Sequence, residues 1–186
     1  AVVIPVAADK PGVLEAAASL RDRLNAAGVR SKMDDSDNSP GWKFAEYEMK
    51  GVPVRVEIGP KDMEKEQCVI ARRDTGEKVF VPLAELEETV KKLLDAVHDN
   101  MYAMALKNRE ENTFDITSPA EAKAVTSGKG GFLRSKWCGS LACELAMKEQ
   151  AGVSSRCMPL EQSGTEGVCP VCGKKCTTDI YWGVAY

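Results

Sequence analysis

The sequence predicts an α/β domain with a mixed β-sheet, followed by a small α+β domain that a metal ion stabilises. Residues 2–33 follow a strand, helix, strand pattern, and residues 67–82 form two strands joined by a tight turn. The C-terminal part also holds four cysteines with metal-ligand spacing. A strand–helix–strand unit favours parallel pairing and a hairpin requires antiparallel pairing, so the first sheet should be mixed.

The first domain begins with a short buried strand, Val2–Val6. Apolar residues then recur at helical spacing over residues 12–27, and Gly28 ends the helix. The extended pattern resumes over Val29–Met33, which predicts a right-handed parallel crossover. The unit lacks a Gly-x-Gly-x-x-Gly turn, so a dinucleotide-binding function has little support.

A turn-rich segment precedes a second helix, which we predict over Gly41–Lys50. In the next strand, Val52–Ile58, apolar residues alternate with others that include Arg55 and Glu57. The alternation predicts a half-buried strand whose second face carries charge.

A hairpin and a long helix complete the first domain. The hairpin strands are predicted at Gln67–Arg73 and Lys78–Pro82. From Leu83 to about Asn108, apolar residues recur every three or four positions, which predicts one amphipathic helix packed on this domain. A coiled coil is less favoured, because Met and Ala replace firm seam residues in the second half. His98, the only histidine, has no catalytic partner in sequence and is interpreted as a helix-surface residue.

We expect the first domain to span residues 1–112 and the second to span residues 113–186. Ser118–Glu121 matches a capping box and predicts a helix that ends near Thr126. Gly128–Gly131 lacks the spacing of a phosphate-binding loop and is interpreted as a turn. The remaining predicted elements are strands over residues 132–137, 154–159 and 180–186 and a helix over residues 140–150.

Four cysteines, Cys138, Cys143, Cys169 and Cys172, have the spacing of a structural zinc site. The second pair is separated by two residues, and Gly173 permits the tight turn that aims both thiolates at one point. The distant pair would complete a tetrahedral sulfur site. Four protein ligands leave no position for a substrate, so the expected role of the ion is structural.

Other interpretations of the cysteines are weaker. A thioredoxin-like pair should open a helix after a strand, whereas Gly173-Lys174-Lys175 follows Cys172. The odd count of seven cysteines and the lack of an apolar leader argue against a secreted disulfide protein and favour a reducing compartment. Cys157 and Cys176 remain alternative ligands, and Cys68 is interpreted as an ordinary buried residue.

Composition excludes several functions. The chain has 186 residues, a net charge of -3, 44% hydrophobic residues and 28% charged residues, which is typical of a soluble globular protein. No stretch approaches the roughly 20 apolar residues that a membrane span needs. The acidic balance argues against binding of nucleic acid by bulk electrostatics, so any RNA contact should be local. The chain begins at Ala1 directly in a strand, and we expect it to be a piece of a longer polypeptide.

The residues from Gly41 to Asp62 carry a family resemblance. They resemble the class IIa anticodon-binding domain of prolyl-tRNA synthetase of the archaeal and eukaryotic type. The cysteine-containing region that ends in Ala185-Tyr186 resembles the C-terminal zinc-binding domain of the same enzymes. The resemblance covers essentially the whole chain. Its first part is shared with the threonine and glycine synthetases, whereas the zinc domain with a terminal Tyr is more specific.

The resemblance implies an enzyme that activates proline with ATP and Mg²⁺ and transfers it to tRNA(Pro). The class II catalytic domain would lie upstream, so this chain should contain no catalytic residue and should be inactive alone. Its task would be to read the anticodon, which in proline tRNAs carries two successive guanines. The resemblance also implies a cytoplasmic, homodimeric enzyme whose partners are tRNA(Pro) and its own catalytic domain, with no DNA and no membrane partner.

The anticodon contacts of the family correspond to Phe44, Glu48 and Arg55, with Lys78 as a weaker candidate. A guanine edge offers N–H donors and a carbonyl acceptor, which a carboxylate and a cation match, and Phe44 would stack on a base. From the residues alone, Phe44 could equally belong to the core while Glu48 and Arg55 form a surface ion pair worth about 0 to 1 kcal/mol. Tyr186 is expected either to help order the proline-activating site or merely to end a sheet.

Two other function classes remain open. One is a catalytically inactive accessory or interaction protein that keeps an anticodon-binding fold and a structural zinc; it would have a natural start codon at this boundary and no affinity for tRNA. The other is a redox or DNA-binding zinc protein, which requires a reversible disulfide or a basic face.

Overall fold

A computed structural model describes residues 1–185 of the chain. They form two compact units, which divide between Met104 and Ala105. Tyr186, for which the sequence predicts a role, lies outside the described residues. Within residues 1–185, no helix combines the length and the apolar content needed to cross a membrane.

The first unit is an α/β structure around a five-stranded mixed sheet, which confirms the predicted fold class. The strand order is β2-β1-β3-β4-β5; β1 is parallel to β2 and β3, and the β3, β4 and β5 neighbours are antiparallel. The strands are β1 (Val2–Pro5), β2 (Lys32–Met33), β3 (Val54–Ile58), β4 (Gln67–Arg72) and β5 (Lys78–Pro82). The helices are α1 (Val13–Ala26), α2 (Pro40–Met49), α3 (Pro60–Glu64) and α4 (Leu86–Glu111), with a 3-10 turn at Leu83–Glu85.

The two faces of this sheet bury different groups. One face forms the main core with α1 and α4, and its fully buried strand residues are Val3, Val54, Val56, Ile58, Cys68 and Ile70. The opposite face carries α2, which packs Tyr47 against Val2 and Ile4 of β1. On that second face, Lys78 and Phe80 of the edge strand β5 remain exposed. Therefore α2 covers only part of the second face.

Three of the elements that differ from the predicted ones do so for visible local reasons. The strand β2 is shorter than Val29–Met33, because the backbone N–H of Val29 donates to the Leu24 carbonyl and closes the end of α1 (2.9 Å). The helix α2 begins at Pro40, where Ser39 acts as the N-cap and accepts from the Trp42 N–H. The predicted turn after β3 is the short helix α3, whose N-cap residue Gly59 donates its N–H to the Asp62 carboxylate (3.0 Å).

A buried polar contact fastens α2 to the sheet. The Lys43 side chain is 2% exposed, and its ammonium donates to the Asp34 carbonyl (3.0 Å) and lies 3.7 Å from the Asp34 carboxylate. Burial acts to raise the pKa of Asp34, but hydrogen bonds from Ser36 and Tyr47 and the charge of Lys43 lower it overall. The contact holds the helix that carries Phe44 and Glu48.

The second unit is a small α+β structure. Its four-stranded sheet has the order β6-β7-β11-β8, with β6 parallel to β7 and β11 antiparallel to both neighbours. The strands are β6 (Thr113–Asp115), β7 (Phe132–Trp137), β8 (Val153–Cys157) and β11 (Thr178–Val184), and β9 (Gly167–Val168) and β10 (Lys175–Cys176) form a separate hairpin. The helices are α5 (Pro119–Ser127) and α6 (Leu141–Ala151). The core centres on Trp182, which is fully buried and donates its indole N–H to the Ser135 hydroxyl (2.9 Å).

The glycine-rich segment before β7 is a turn, and its glycine has a steric cause. A Cβ at Gly131 would lie 2.4 Å from the Asn112 carbonyl oxygen, and φ at Gly131 is +125°. The same oxygen accepts the Phe132 N–H (2.8 Å). Gly131 therefore permits a close backbone approach between two segments of the second unit.

Asp74 fastens the β4–β5 hairpin to α4. Its carboxylate accepts hydrogen bonds from the Arg72 guanidinium (2.7 and 3.1 Å) and from the Asn100 amide (2.7 Å), and its side chain is 2% exposed. The hydrogen bond from Arg72 is the largest cause of a lowered pKa at Asp74.

We predict that Asp74→Asn lowers the free energy of unfolding by about 1 to 3 kcal/mol at pH 7. The folded-state pKa lies below the unfolded value of about 3.9, so the carboxylate stabilises the fold above that pH. Its contribution is lost as the pH falls through the folded-state pKa, and variant and wild type should converge there. Urea unfolding followed by circular dichroism checks this, with exposed Asp99→Asn as the control. A difference that does not depend on pH would contradict it.

Candidate functional site

Five side chains lie together on the partly covered face of the first sheet, and we call them the charged face. They are Phe44, Glu48, Arg55, Glu57 and Lys78. The first two lie one turn apart on α2, the next two lie two residues apart on β3, and Lys78 begins β5. Because Ala71 of β4 pairs with both Arg55 and Lys78, these two cations lie in the same row across the sheet.

Arg55 lies at the centre of the charged face. Its Nη1 is 2.8 Å from Glu48 Oε1, its Nε is 3.0 Å from Glu57 Oε1, and its Cζ is 4.0 Å from the centre of the Phe44 ring. The guanidinium is thus paired with two carboxylates and stacked on an aromatic ring. The structure therefore brings together the three residues for which the sequence predicts base contacts.

Lys78 joins the same group through Glu57, a residue that the sequence argument did not select. The Lys78 ammonium lies 3.1 Å from Glu57 Oε1 and 5.3 Å from the centre of the Phe44 ring. Glu57 therefore lies between two cations. Its spacing of two residues from Arg55 on an alternating strand was the available signal, because such residues share one face.

Burial divides the charged face into an inner and an outer part. The side chains of Arg55 and Glu57 are each 10% exposed, whereas those of Glu48 and Lys78 are 55% and 47% exposed. The Glu48–Arg55 contact is therefore more than a surface ion pair, since its cation is buried. Phe44 is partly buried and packs on the small core under α2, so it belongs both to that core and to the charged face.

The arrangement suits a planar polar ligand. Two carboxylates accept N–H donors, two cations donate to carbonyl oxygens, and a ring stacked with a guanidinium offers a flat support. The outer Glu48 and Lys78 face solvent, so a ligand reaches both signs of charge without separating the buried inner pair.

The second site is the cysteine cluster of Cys138, Cys143, Cys169 and Cys172. Their four Sγ atoms all lie within 4.8 Å of one another. The Cys138 sulfur is 3.6 Å from that of Cys143 and 3.7 Å from that of Cys172. Four sulfurs at about 2.3 Å from a tetrahedral zinc ion lie about 3.8 Å apart, whereas a disulfide requires about 2.05 Å. The spacing fits a metal ion and not a disulfide.

Three parts of the second unit supply these sulfurs. Cys138 directly follows β7, and Cys143 lies in the first turn of α6. Cys169 and Cys172 lie in the turn between β9 and β10, where Gly173 has a φ of +69° and donates its N–H to the Cys169 carbonyl (2.9 Å). An ion in the cluster would therefore join the sheet, a helix and a separate hairpin.

Two cysteines of the cluster have pKa values shifted in opposite directions. Burial opposes ionisation of Cys169, but backbone N–H groups of Cys172 and Val171 donate to its sulfur, and its pKa falls to about 7. Burial and the adjacent sulfurs raise the pKa of Cys143 to about 12. A bound cation would offset this repulsion and hold all four sulfurs as thiolates.

The other cysteines lie outside this cluster. Cys157 is exposed at the end of β8, and Cys176 is partly buried at the end of β10. Burial and then the charge of the cluster sulfurs raise the pKa of Cys176. Within residues 1–185, neither belongs to a group of close metal-ligand atoms. Cys68 is fully buried in the first core, in line with its interpretation from the sequence.

Comparison with known proteins gives both units a family. Residues 1–93 match the family described as anticodon binding domain, and residues 119–186 match the family described as prolyl-tRNA synthetase, C-terminal. A proline-tRNA ligase of Clostridium botulinum is 50% identical over 186 residues, covering 100% of this chain and 39% of that protein. Proline-tRNA ligase 2 of Bacillus cereus is 48% identical over 185 residues, with 100% and 39% coverage. For a proline-tRNA ligase of Clostridium novyi the identity is 50% over 185 residues, with 100% and 38% coverage.

The chain thus spans about two fifths of the length of the curated relatives that it matches. Both family matches agree with the structure, since the first lies in the α/β unit and the second in the unit that holds the cysteine cluster. This chain belongs to the anticodon-binding domain family and joins such a domain to the C-terminal domain of prolyl-tRNA synthetases.

Proposed function

We propose that this chain is the tRNA-recognition part of a proline-tRNA ligase and that the charged face reads the proline anticodon. The observation that carries the proposal is the arrangement of two carboxylates and two cations around Phe44, in which Glu48 and Lys78 are open to solvent. The relatives that bear the name proline-tRNA ligase support the choice of tRNA. Activation of proline with ATP and Mg²⁺ belongs to the part of the enzyme that this chain does not span, so we assign no catalytic residue here.

The chemistry of guanine explains the pairing of charges. Each of the two successive guanines in the proline anticodon exposes N–H donors and one carbonyl acceptor along its Watson–Crick edge. In the proposed complex, Glu48 accepts the N–H groups of one guanine while Arg55 donates to its carbonyl oxygen. Lys78 donates to the second guanine, and Glu57 orients both cations. The stack of Phe44 and Arg55 supports the unpaired bases.

We predict that Glu48→Gln weakens binding of a proline anticodon stem-loop by about 1 to 3 kcal/mol, because an amide cannot accept both guanine donors. Glu48 is 55% exposed, so the fold should be unaffected. Glu46→Gln is the matched control, since Glu46 lies on the same helix and pairs with Lys50 instead. Fluorescence anisotropy with stem-loops that carry or lack the two guanines measures both affinity and preference. Equal affinities for the two RNAs would refute the reading function.

Arg55→Ala tests the inner part of the charged face and has a structural effect as well. The substitution leaves the buried Glu57 with Lys78 as its remaining cation, so we expect a loss of unfolding free energy of about 1 to 3 kcal/mol along with the loss of RNA binding. Its RNA affinity is therefore compared only at a temperature where circular dichroism shows the variant fully folded.

We propose a structural zinc ion in the cysteine cluster. The donor set of four thiolates with near-tetrahedral spacing supports zinc over harder cations that prefer oxygen ligands. The ion would supply no chemistry for the reaction, because its four positions are filled by protein sulfurs. Its effect would be to hold the separate hairpin and α6 against the main sheet of the second unit.

We predict one zinc ion per chain in protein purified without chelator, measured by elemental analysis. Cys169→Ser should lose the ion, whereas the exposed Cys157→Ser and the partly buried Cys176→Ser should retain it. Removal of zinc should unfold mainly residues 113–186, because the first unit has its own apolar core. Hydrogen exchange that increases equally in both units after chelation would contradict the predicted division. Full metal content in Cys169→Ser would contradict the assignment of Cys169 as a ligand.

The last residue, Tyr186, is a separate part of the proposal. Strand β11 ends at Val184, close to the chain end. We propose that Tyr186 and its carboxylate help order the proline-activating site of the whole enzyme. Deletion of Tyr186 from the whole enzyme should slow proline-dependent ATP–pyrophosphate exchange without changing tRNA affinity. An unchanged exchange rate would leave Tyr186 with only a structural role.

We further propose that the whole enzyme is of the archaeal and eukaryotic type, which the cysteine-containing domain supports. The relatives described above come from bacteria. We also propose that the whole enzyme is a homodimer in the cytoplasm, where tRNA is aminoacylated for protein synthesis.

A further inference from the structure

Phe80 has a large aromatic side chain that does not pack into the core of the first unit. It lies on β5, and 68% of it is exposed. Its strand neighbours Val79 and Val81 pack into the main core, so Phe80 and Lys78 point to the opposite face of the sheet, which also carries the charged face. A single exposed Phe is unremarkable by itself, and its position relative to the charged face is what matters.

The strand register places Phe80 next to the charged face. Glu57 pairs with Val69 and Val69 pairs with Phe80, so the three residues form one row across β3, β4 and β5. Two strand spacings of about 4.8 Å put the Phe80 Cα about 10 Å from the Glu57 Cα. Lys78, which contacts Glu57, precedes Phe80 by two residues on the same strand. Phe80 therefore lies beside the charged face, at the edge of the sheet.

We infer that Phe80 is a stacking platform for a third unpaired nucleotide, the one that flanks the two guanines on the β5 side. This inference rests on the proposed reading of the anticodon by the charged face. The occupant is an RNA base, because an anticodon loop that presents bases to Arg55 and Lys78 must carry the adjacent base past Lys78 toward the sheet edge. An aromatic ring exposed at that point matches the flat face of a base, as in other single-strand binding sites.

The chemistry of the Phe80 ring also predicts that this contact has little sequence preference. A phenyl ring has neither a hydrogen-bond donor nor an acceptor, so it stacks on any of the four bases without reading its edge. The position bound by Phe80 should accordingly add affinity but little sequence preference. The two guanines would be discriminated by charge, while the flanking base would be held by stacking alone.

The test measures binding of anticodon stem-loops to the 186-residue chain by fluorescence anisotropy. Phe80→Ala should weaken binding about 5- to 150-fold, the range expected for loss of one base–aromatic stack. Phe80→Tyr should stay within about twofold of wild type, since the ring is kept. Tyr102→Ala removes an aromatic residue of similar exposure, 65%, from α4 and should have no effect. Circular dichroism melting verifies that each variant is folded.

Abasic RNA identifies the partner of the ring. Stem-loops that lack the base on either side of the two guanines are compared in turn, and with one of them wild type and Phe80→Ala should bind equally. Changing that base among the four types should alter the Phe80→Ala effect by less than about threefold. Unchanged affinity in Phe80→Ala, or a loss that persists with both abasic RNAs, overturns the inference while the guanine preference of the wild type stands. Absence of that preference in the wild type overturns the proposed function itself.

Discussion

The first unit depends on the neutralisation of one buried guanidinium, that of Arg55. A charge removed from water destabilises a fold unless it is paired and hydrogen-bonded. Arg55 lies on β3, between β1 and β4, so its partners must come from the surrounding elements. Glu57 comes from the same strand and Glu48 from α2, and the Phe44 ring covers the guanidinium. This requirement positions α2 against the sheet and also builds the charged face.

The second unit meets a different constraint, which is its small core. Its buried apolar residues lie around Trp182 and Met147, while the β9–β10 hairpin contributes none of its own strand residues to that cluster. Cys169 and Cys172, in the turn of the hairpin, instead lie close to Cys138 after β7 and Cys143 at the start of α6. A metal ion at such a junction stabilises parts that apolar burial alone does not join. With a metal ion bound, the second unit would thus use charge neutralisation where hydrophobic packing does not reach, as the first unit does at Arg55.

Much of this structure follows from local sequence, and the rest depends on contacts between distant residues. The alternation around Arg55 predicted β3 and its charged side, because alternation is a property of the strand itself. The prediction that β3 is half-buried is wrong, because Phe44 and Glu48 of α2 contact Arg55 on the charged side and all five residues of β3 are buried. The role of Glu57 was missed, since it requires Lys78 from a strand 21 residues away. The burial of Lys43 was equally invisible, because it depends on where α2 meets the end of β2. The spacing of the cysteines predicted the four sulfurs of the cluster correctly as a group.

The side chains of the charged face range from buried Arg55 and Glu57 to exposed Glu48 and Lys78. This difference in exposure would allow the charged face to stabilise the fold and also to discriminate between bases. Binding of a guanine must exchange part of the Glu48–Arg55 contact for contacts with the base, and the 55% exposed Glu48 loses little in that exchange. The Arg55–Glu57 contact is buried and remains in place. An adenine presents an acceptor where guanine presents a donor, so it would desolvate Glu48 without giving it a new hydrogen bond. Desolvation of a carboxylate that gains no hydrogen bond is unfavourable, so the charged face would discriminate by rejecting wrong bases as well as by attracting the right one.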